Sequence, residues 1–231
     1  MEFNITPKEI YEALNLDNEI LKIYKEIENK EIKEGCWAFH NFEHIKNVSK
    51  IAEKLLKDLN FDEITIYKCK IACLLHDIGV LQGKEEHAQR SCEYAIKLFE
   101  NKNWKFEDLE SVLDAIKNHS AGFETDNIVG LALILADKLD IKKRRISELG
   151  KEVKGNRQYA HIEDITINIK NNILTINFIT DGQMIMKEVN SYYFTEKVFK
   201  AIEAFAQKLN LEYYILIDNK IWDNDKIYFT S

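Results

Sequence analysis

The sequence predicts a mainly α chain, with a helical domain over residues 1–155 followed by a small α+β domain over 156–231 whose sheet is antiparallel. Three observations carry this. Apolar residues recur at three- and four-residue spacing throughout the first half. After Gly155 the apolar period falls to two, the signature of strands. A hydrophobic content of 45% over 231 residues is ample for a buried core.

The first helix opens at Thr6-Pro7-Lys8-Glu9, a capping box with proline at the first helical position. Ile10, Leu14, Ile20, Leu21, Ile23, Tyr24 and Ile27 continue a stripe that breaks near Asn15–Asp17, and Gly35 is the expected stop. From about His44 a second stripe runs through Val48, Ile51, Ala52, Leu55, Leu56 and Leu59, placing His44 in the first turn of its helix. A helix from roughly Asp62 to His76 should turn Ile64, Ile71, Leu74 and Leu75 inward and end at Gly79 as a left-handed cap. His76-Asp77 then sits on its last turn.

The next helix starts near Lys84–Glu86 and carries His87, Ala88, Ser91, Cys92, Ala95, Ile96 and Leu98. Another, from about Phe106, ends at His119 before the breaker Ser120-Ala121-Gly122. The last of this half, Asn127 to Leu139, is apolar on most faces, which implies a central position, and it closes on Asp137. Beyond Gly155, Ile165, Ile167 and Ile169 alternate with polar residues, Asn171-Asn172 makes a turn, and Leu174, Ile176 and Phe178 alternate again. Asp181-Gly182 reads as a second hairpin leading to a strand through Met184 and Met186. An amphipathic helix through Phe194, Val198, Phe199, Ile202, Phe205 and Leu209 follows, then strands over Tyr213–Ile217 and Ile227–Phe229.

A net charge of -7, from 39 acids against 32 bases, argues against an extended nucleic-acid surface. No segment approaches the roughly 18 apolar residues of a spanning helix, and no basic stretch leads an apolar one, so a cytoplasmic protein with no membrane contact is expected. Cys36, Cys69, Cys73 and Cys92 form no C-x-x-C pair and read as reduced, packed thiols.

His44, His76, Asp77, His87, His119 and Asp137 make sense together as a metal site. Imidazole and carboxylate without thiolate suit a catalytic divalent cation. His76-Asp77 closes an apolar helix, where an unpaired buried charge costs several kcal/mol unless a cation accepts its lone pairs. Asp137 ends the most hydrophobic helix, at the negative end of its dipole, where a carboxylate is unfavourable. A metal explains that placement, against the plainer role of bonding a neighbouring amide or pairing with Lys138 or Arg144.

With Leu-Leu-His-Asp-Ile-Gly around the pair and Leu-Ala-Asp-Lys-Leu-Asp around Asp137, these residues resemble the signature of the HD-domain superfamily of metal-dependent phosphohydrolases, over roughly residues 36–145. The resemblance implies an HD-type helical bundle that brings His44, His76, Asp77 and Asp137 to one divalent ion. In binuclear members two further histidines serve a second ion; His87 and His119 occupy those places, with Asp77 as the bridge. Manganese, iron, magnesium, nickel and zinc all suit such ligands. Read alone, His87 is also an ordinary first-turn residue and His119 an ordinary helix C-cap.

Phe39-His40-Asn41-Phe42-Glu43-His44 is similar to the His-Asn-x-x-His element of cyclic-nucleotide phosphodiesterases, which implies that His40 is a general acid. Packing beside Trp37 and Phe42 is its other reading. The chain departs from that pattern after the pair, where Ile78-Gly79-Val80 follows.

The activity implied is hydrolysis of a phosphate ester, of a nucleotide or another small phosphorylated metabolite, by metal-activated water, with Asp77 and His40 catalytic. Lys84 stands in for the lysine that many relatives carry where this chain has Val80. Lys138 and Arg145 flank a turn near the metal and are expected to touch the substrate, arginine being suited to bidentate phosphate contacts. Lys142 and Lys143 read as a solvated end that compensates the helix dipole. Two other functions fit the chain. Some HD-fold proteins with six such ligands hold two irons and oxidise substrates with O₂, and the C-terminal sheet alternatively serves effector binding or a homo-oligomer.

Overall fold

The structure, a computed structural model, describes residues 3–222. The chain divides into two compact units. One takes in the chain up to Lys30 together with His40–Ala136; the other takes in Glu31–Phe39 and the chain from Asp137 onward. The division thus falls inside a helix at Ala136/Asp137, whereas the change of sequence period falls at Gly155.

In the first unit, α1 (Pro7–Asn15) begins with the capping box the sequence predicts: Thr6 accepts from the Glu9 amide, and Glu9 Oε2 accepts from the Thr6 amide at 2.9 Å. Asp17 Oδ1 accepts from the Glu19 amide at 2.8 Å and restarts the chain as α2 (Asn18–Glu34). Asn41 caps α3 (Phe42–Asp58), and Asp62 caps α4 (Glu63–Leu75) by accepting from the Thr65 amide at 2.7 Å. Ile64 points outward, 54% exposed, contrary to its expected inward place. The far half of α4 is different. Ile71, Ala72, Cys73, Leu74 and Leu75 are all buried, so every face of that half meets protein and the helix delivers its last residues into the core.

A 3-10 turn over Ile78–Gln82 leads to α5 (His87–Asn101), followed by α6 (Leu109–Asn118) and α7 (Ile128–Leu139). Gly79 lies in that 3-10 turn and is no left-handed cap. The glycines with positive φ are Gly35, Gly83, Gly155 and Gly182. Gly79 is needed for a close approach: a Cβ there would sit 2.3 Å from the His87 carbonyl oxygen. All four cysteines are free thiols.

In the second unit, the short helix α8 (Glu148–Glu152) precedes β1 (Ile162–Lys170) and β2 (Ile173–Thr180), which pair antiparallel, with Ile165 opposite Phe178 and Ile167 opposite Ile176. Asn171 and Asn172 take φ of 52° and 61°, the left-handed pair that a two-residue hairpin requires. The sheet is mixed rather than antiparallel throughout, in the order β1-β2-β3-β4. β3 (Glu212–Ile217) runs parallel to β2, because α9 (Met186–Asn190) and α10 (Tyr193–Lys208) form a crossover that returns the chain to the same end. β4 (Lys220–Ile221) closes the edge antiparallel to β3.

No strand forms through Met184 and Met186. The Ile185 amide donates to Gln158 Oε1 at 2.8 Å, and the Gln183 amide to Asp181 Oδ1 at 3.0 Å, so side chains take the donors that a strand ladder would use. Trp222 packs its ring edge-on against Phe178 and Phe199 and donates to Asn190 Oδ1 at 2.8 Å. Ile227–Phe229 lies outside the described residues. Among the described residues no helix is long and apolar enough to cross a membrane.

Candidate metal centre

Four helix termini place the cluster. Asn41 accepts from the His44 amide at 3.0 Å and is itself held by Glu28 at 2.8 Å, which fixes the first turn of α3 and with it His44. At the end of α4, Tyr24 donates to the Leu74 carbonyl at 2.7 Å, and His76 is the C-cap residue. Arg90 reaches back from α5 to the Gly79 carbonyl at 3.2 Å, and Ser91 Oγ accepts from the Gly79 amide at 2.9 Å. These bonds draw the start of α5, where His87 is the first residue, onto the Asp77 turn. His119 is the C-cap residue of α6.

Three of the histidines are oriented by one device. Nδ1 of His76 bonds the Cys73 carbonyl at 2.9 Å, Nδ1 of His87 the Lys84 carbonyl at 2.8 Å, and Nδ1 of His119 the Ile116 carbonyl at 2.7 Å. Each acceptor lies three residues earlier; for His76 and His119 it belongs to the last helical turn, whose carbonyls lack an intrahelical partner. A carbonyl only accepts, so Nδ1 carries the hydrogen in each ring. In the neutral imidazole Nε2 then presents a lone pair.

Those Nε2 atoms converge on Asp77, and its two oxygens serve different pairs. Oδ2 faces His76 Nε2 at 3.1 Å and His44 Nε2 at 3.5 Å. Oδ1 faces His87 Nε2 at 3.4 Å and His119 Nε2 at 3.6 Å. Asp77 Oδ2 is buried without a hydrogen-bond donor. His87 Nε2 lies 3.0 Å from His119 Nε2. Two lone pairs at that distance repel unless one ring gains a proton or a cation stands between them.

The donor set therefore fits a divalent ion. Ligand atoms of His44, His76, Asp77 and Asp137 lie within 4.8 Å of one another, and so do those of Asp77, His87 and His119. Burial pushes the Asp77 carboxyl up, but the surrounding imidazoles of His76, His40, His119 and His44 outweigh it and hold the group well below the usual carboxylate range. Burial and the neighbouring Asp77 charge raise the Tyr24 hydroxyl well above its usual value, so it stays a neutral donor.

A model of the HD domain matches residues 41–142. This helical segment matches the HD domain. Among solved structures the chain is similar to a predicted HD superfamily hydrolase from an uncultured Thermotogales bacterium, at 23% identity and a TM-score of 0.43, over 64% of this chain and 88% of that one. No curated protein matches the sequence.

The segment from α3 to α6 brings five of the six expected ligands together, and α7 carries the sixth, Asp137, in its last turn. His40 is half-buried, its ring 5.9 Å from that of His44. Lys84 is exposed; what it offers the site is its carbonyl, on His87. Lys138 Nζ bonds Asp137 Oδ2 at 2.5 Å. Arg145 is buried, and its nitrogens meet backbone carbonyls. Sequence reasoning missed the three orienting carbonyls, since a backbone acceptor leaves no trace in residue identity. It also missed fully buried Asp140, which Arg144 Nη2 bonds at 2.9 Å.

Proposed function

We propose that this chain is a metal-dependent phosphohydrolase that cleaves the phosphate ester of a nucleotide or another small phosphorylated metabolite. The observation that carries the reading is the division of Asp77 between two histidine pairs, the layout of a carboxylate that bridges two ions. His44, His76, Asp77 and Asp137 would hold one, and Asp77, His87 and His119 the other. Bound divalent ions would acidify a water to the nucleophile and offset charge on the phosphoryl oxygens.

The remaining tasks fall to the chain's own groups. Nδ1 of His76, His87 and His119 stays on its carbonyl, which keeps each Nε2 lone pair directed inward. Asp77 stays ionised. His40, near His44 and partly open, would protonate the leaving alkoxide. Lys84, by its exposed side chain, would supply a cation for the substrate phosphate, while Lys138 is engaged with Asp137. The same all-nitrogen-and-oxygen donor set suits iron, so a di-iron oxygenase is the second reading.

Metal content of protein purified without oxygen, together with phosphate release from a nucleotide panel, tests the proposal in wild type and Asp77→Ala. Two equivalents of metal and release that depends on Asp77 are expected. Metal-free protein, or hydrolysis indifferent to Asp77, would sink it. Iron with oxygen uptake and no phosphate release would favour the oxygenase.

A further inference from the structure

Arg145 is a buried cation in the second unit, and burial of a guanidinium is costly unless its N–H groups are paired. Nε donates to the Phe39 carbonyl at 3.3 Å, and Nη1 donates to the carbonyls of Asp140 at 2.9 Å and Asp137 at 3.3 Å. Nη2 faces Asp137 Oδ1 at 3.6 Å. The backbone repeats the link: the Phe39 amide donates to the Arg145 carbonyl at 3.0 Å, and Ala38 bridges Ile146. One side chain thus ties the end of α7 to the residue that precedes His40. With Nε and both N–H groups of Nη1 on carbonyls, neither bidentate edge of the fork is open to a phosphate, and Nη2 alone is left facing Asp137.

We propose that Arg145 is a positioning residue for the ligand Asp137, and through Phe39 for the backbone at His40, instead of a contact for substrate. This rests on the metal-centre reading above. Lys138 holds the other oxygen of the same carboxylate, so each oxygen of Asp137 faces its own cation. Arginine suits the place because one guanidinium reaches three carbonyls and a carboxylate at once; lysine concentrates its donors at one point.

Titration of manganese(II) into chelator-stripped protein, followed by calorimetry, tests the role in wild type, Arg145→Gln, Arg145→Lys and Asp137→Asn. Arg145→Gln should bind one of the two ions about 10- to 100-fold more weakly, the range for losing a group that orients a ligand, and leave the other unchanged. The weakened ion should be the one that Asp137→Asn also weakens, and Arg145→Lys should recover part of the loss. Should the glutamine variant fail to fold, as its metal-free melting curve will report, Arg145→Lys carries the comparison, with a smaller deficit in the same ion. Wild-type manganese affinity in Arg145→Gln, with or without a raised KM, overturns the positioning role and leaves the metal centre standing. A wild type that takes up no manganese overturns both.

Discussion

His87 and His119 meet Nε2 to Nε2 at 3.0 Å, and that contact has opposite consequences with and without a cation. In stripped protein the lone pairs oppose each other, so His87→Asn should melt within about 0.5 kcal/mol of wild type, or above it. With manganese at 100 times its Kd the order reverses, since a ligand at that concentration adds about 2.7 kcal/mol to the form that binds it. Melting curves of both proteins with and without metal check this, and a variant less stable by the same margin in both states would refute it. The His/Asp cluster was legible because polar residues closing apolar helices conflict with their surroundings, as at His76-Asp77 and Asp137. The surroundings of Lys84 and Arg145 were less legible. Their backbone carbonyl and committed guanidinium depend on chain folding that residue type does not encode.

The helices of the first unit could be placed from spacing and caps, and α3 to α7 begin and end within a few residues of expectation. Gly79 shows where local reading stops: its glycine is required by α5, packed against it from later in the chain. Gly79→Ala should destabilise by about 1–3 kcal/mol in urea unfolding, since a backbone carbonyl blocks the new methyl group. It should also weaken the ion served by His87. The direction of β3 was unreadable for a similar reason, because alternation marks a strand without naming its neighbour. In that unit α9 is tied down by Glu188, whose carboxyl is held at about 2 by the Arg157 hydrogen bond, against burial and with help from Gln158. A depressed carboxyl stabilises fully above its unfolded value of 4.5 and loses that contribution as pH falls through about 2. The melting temperatures of wild type and Glu188→Gln should therefore differ above pH 4.5 and converge toward pH 2.

At the scale of the whole molecule, the change of period at Gly155 does not coincide with the division at Asp137. Glu31–Phe39 joins the later unit through pairings distant in sequence: the Ser147 amide donates to the Trp37 carbonyl at 3.0 Å, and Ser147 Oγ to the Cys36 carbonyl at 2.5 Å. Such long-range bonds leave no local signal. A chain ended at Gly155 would cut this unit and remove Asp164, the partner of Lys142. It should lose cooperative unfolding of that part, as hydrogen exchange at Trp37 and Ala38 would report; full protection there would show that the early segment is held without the sheet. The asymmetry of burial around Asp77 has a kinetic meaning as well. His44 and His76 are sealed, at 1% and 0% side-chain exposure, whereas His87 is 19% exposed. An ion on the sealed side would leave only as fast as the helices breathe, while its neighbour would trade places with ions in the buffer. Isotope exchange should resolve a slow and a fast population in one molecule, so the protein could retain one metal through purification and take its second from the surroundings.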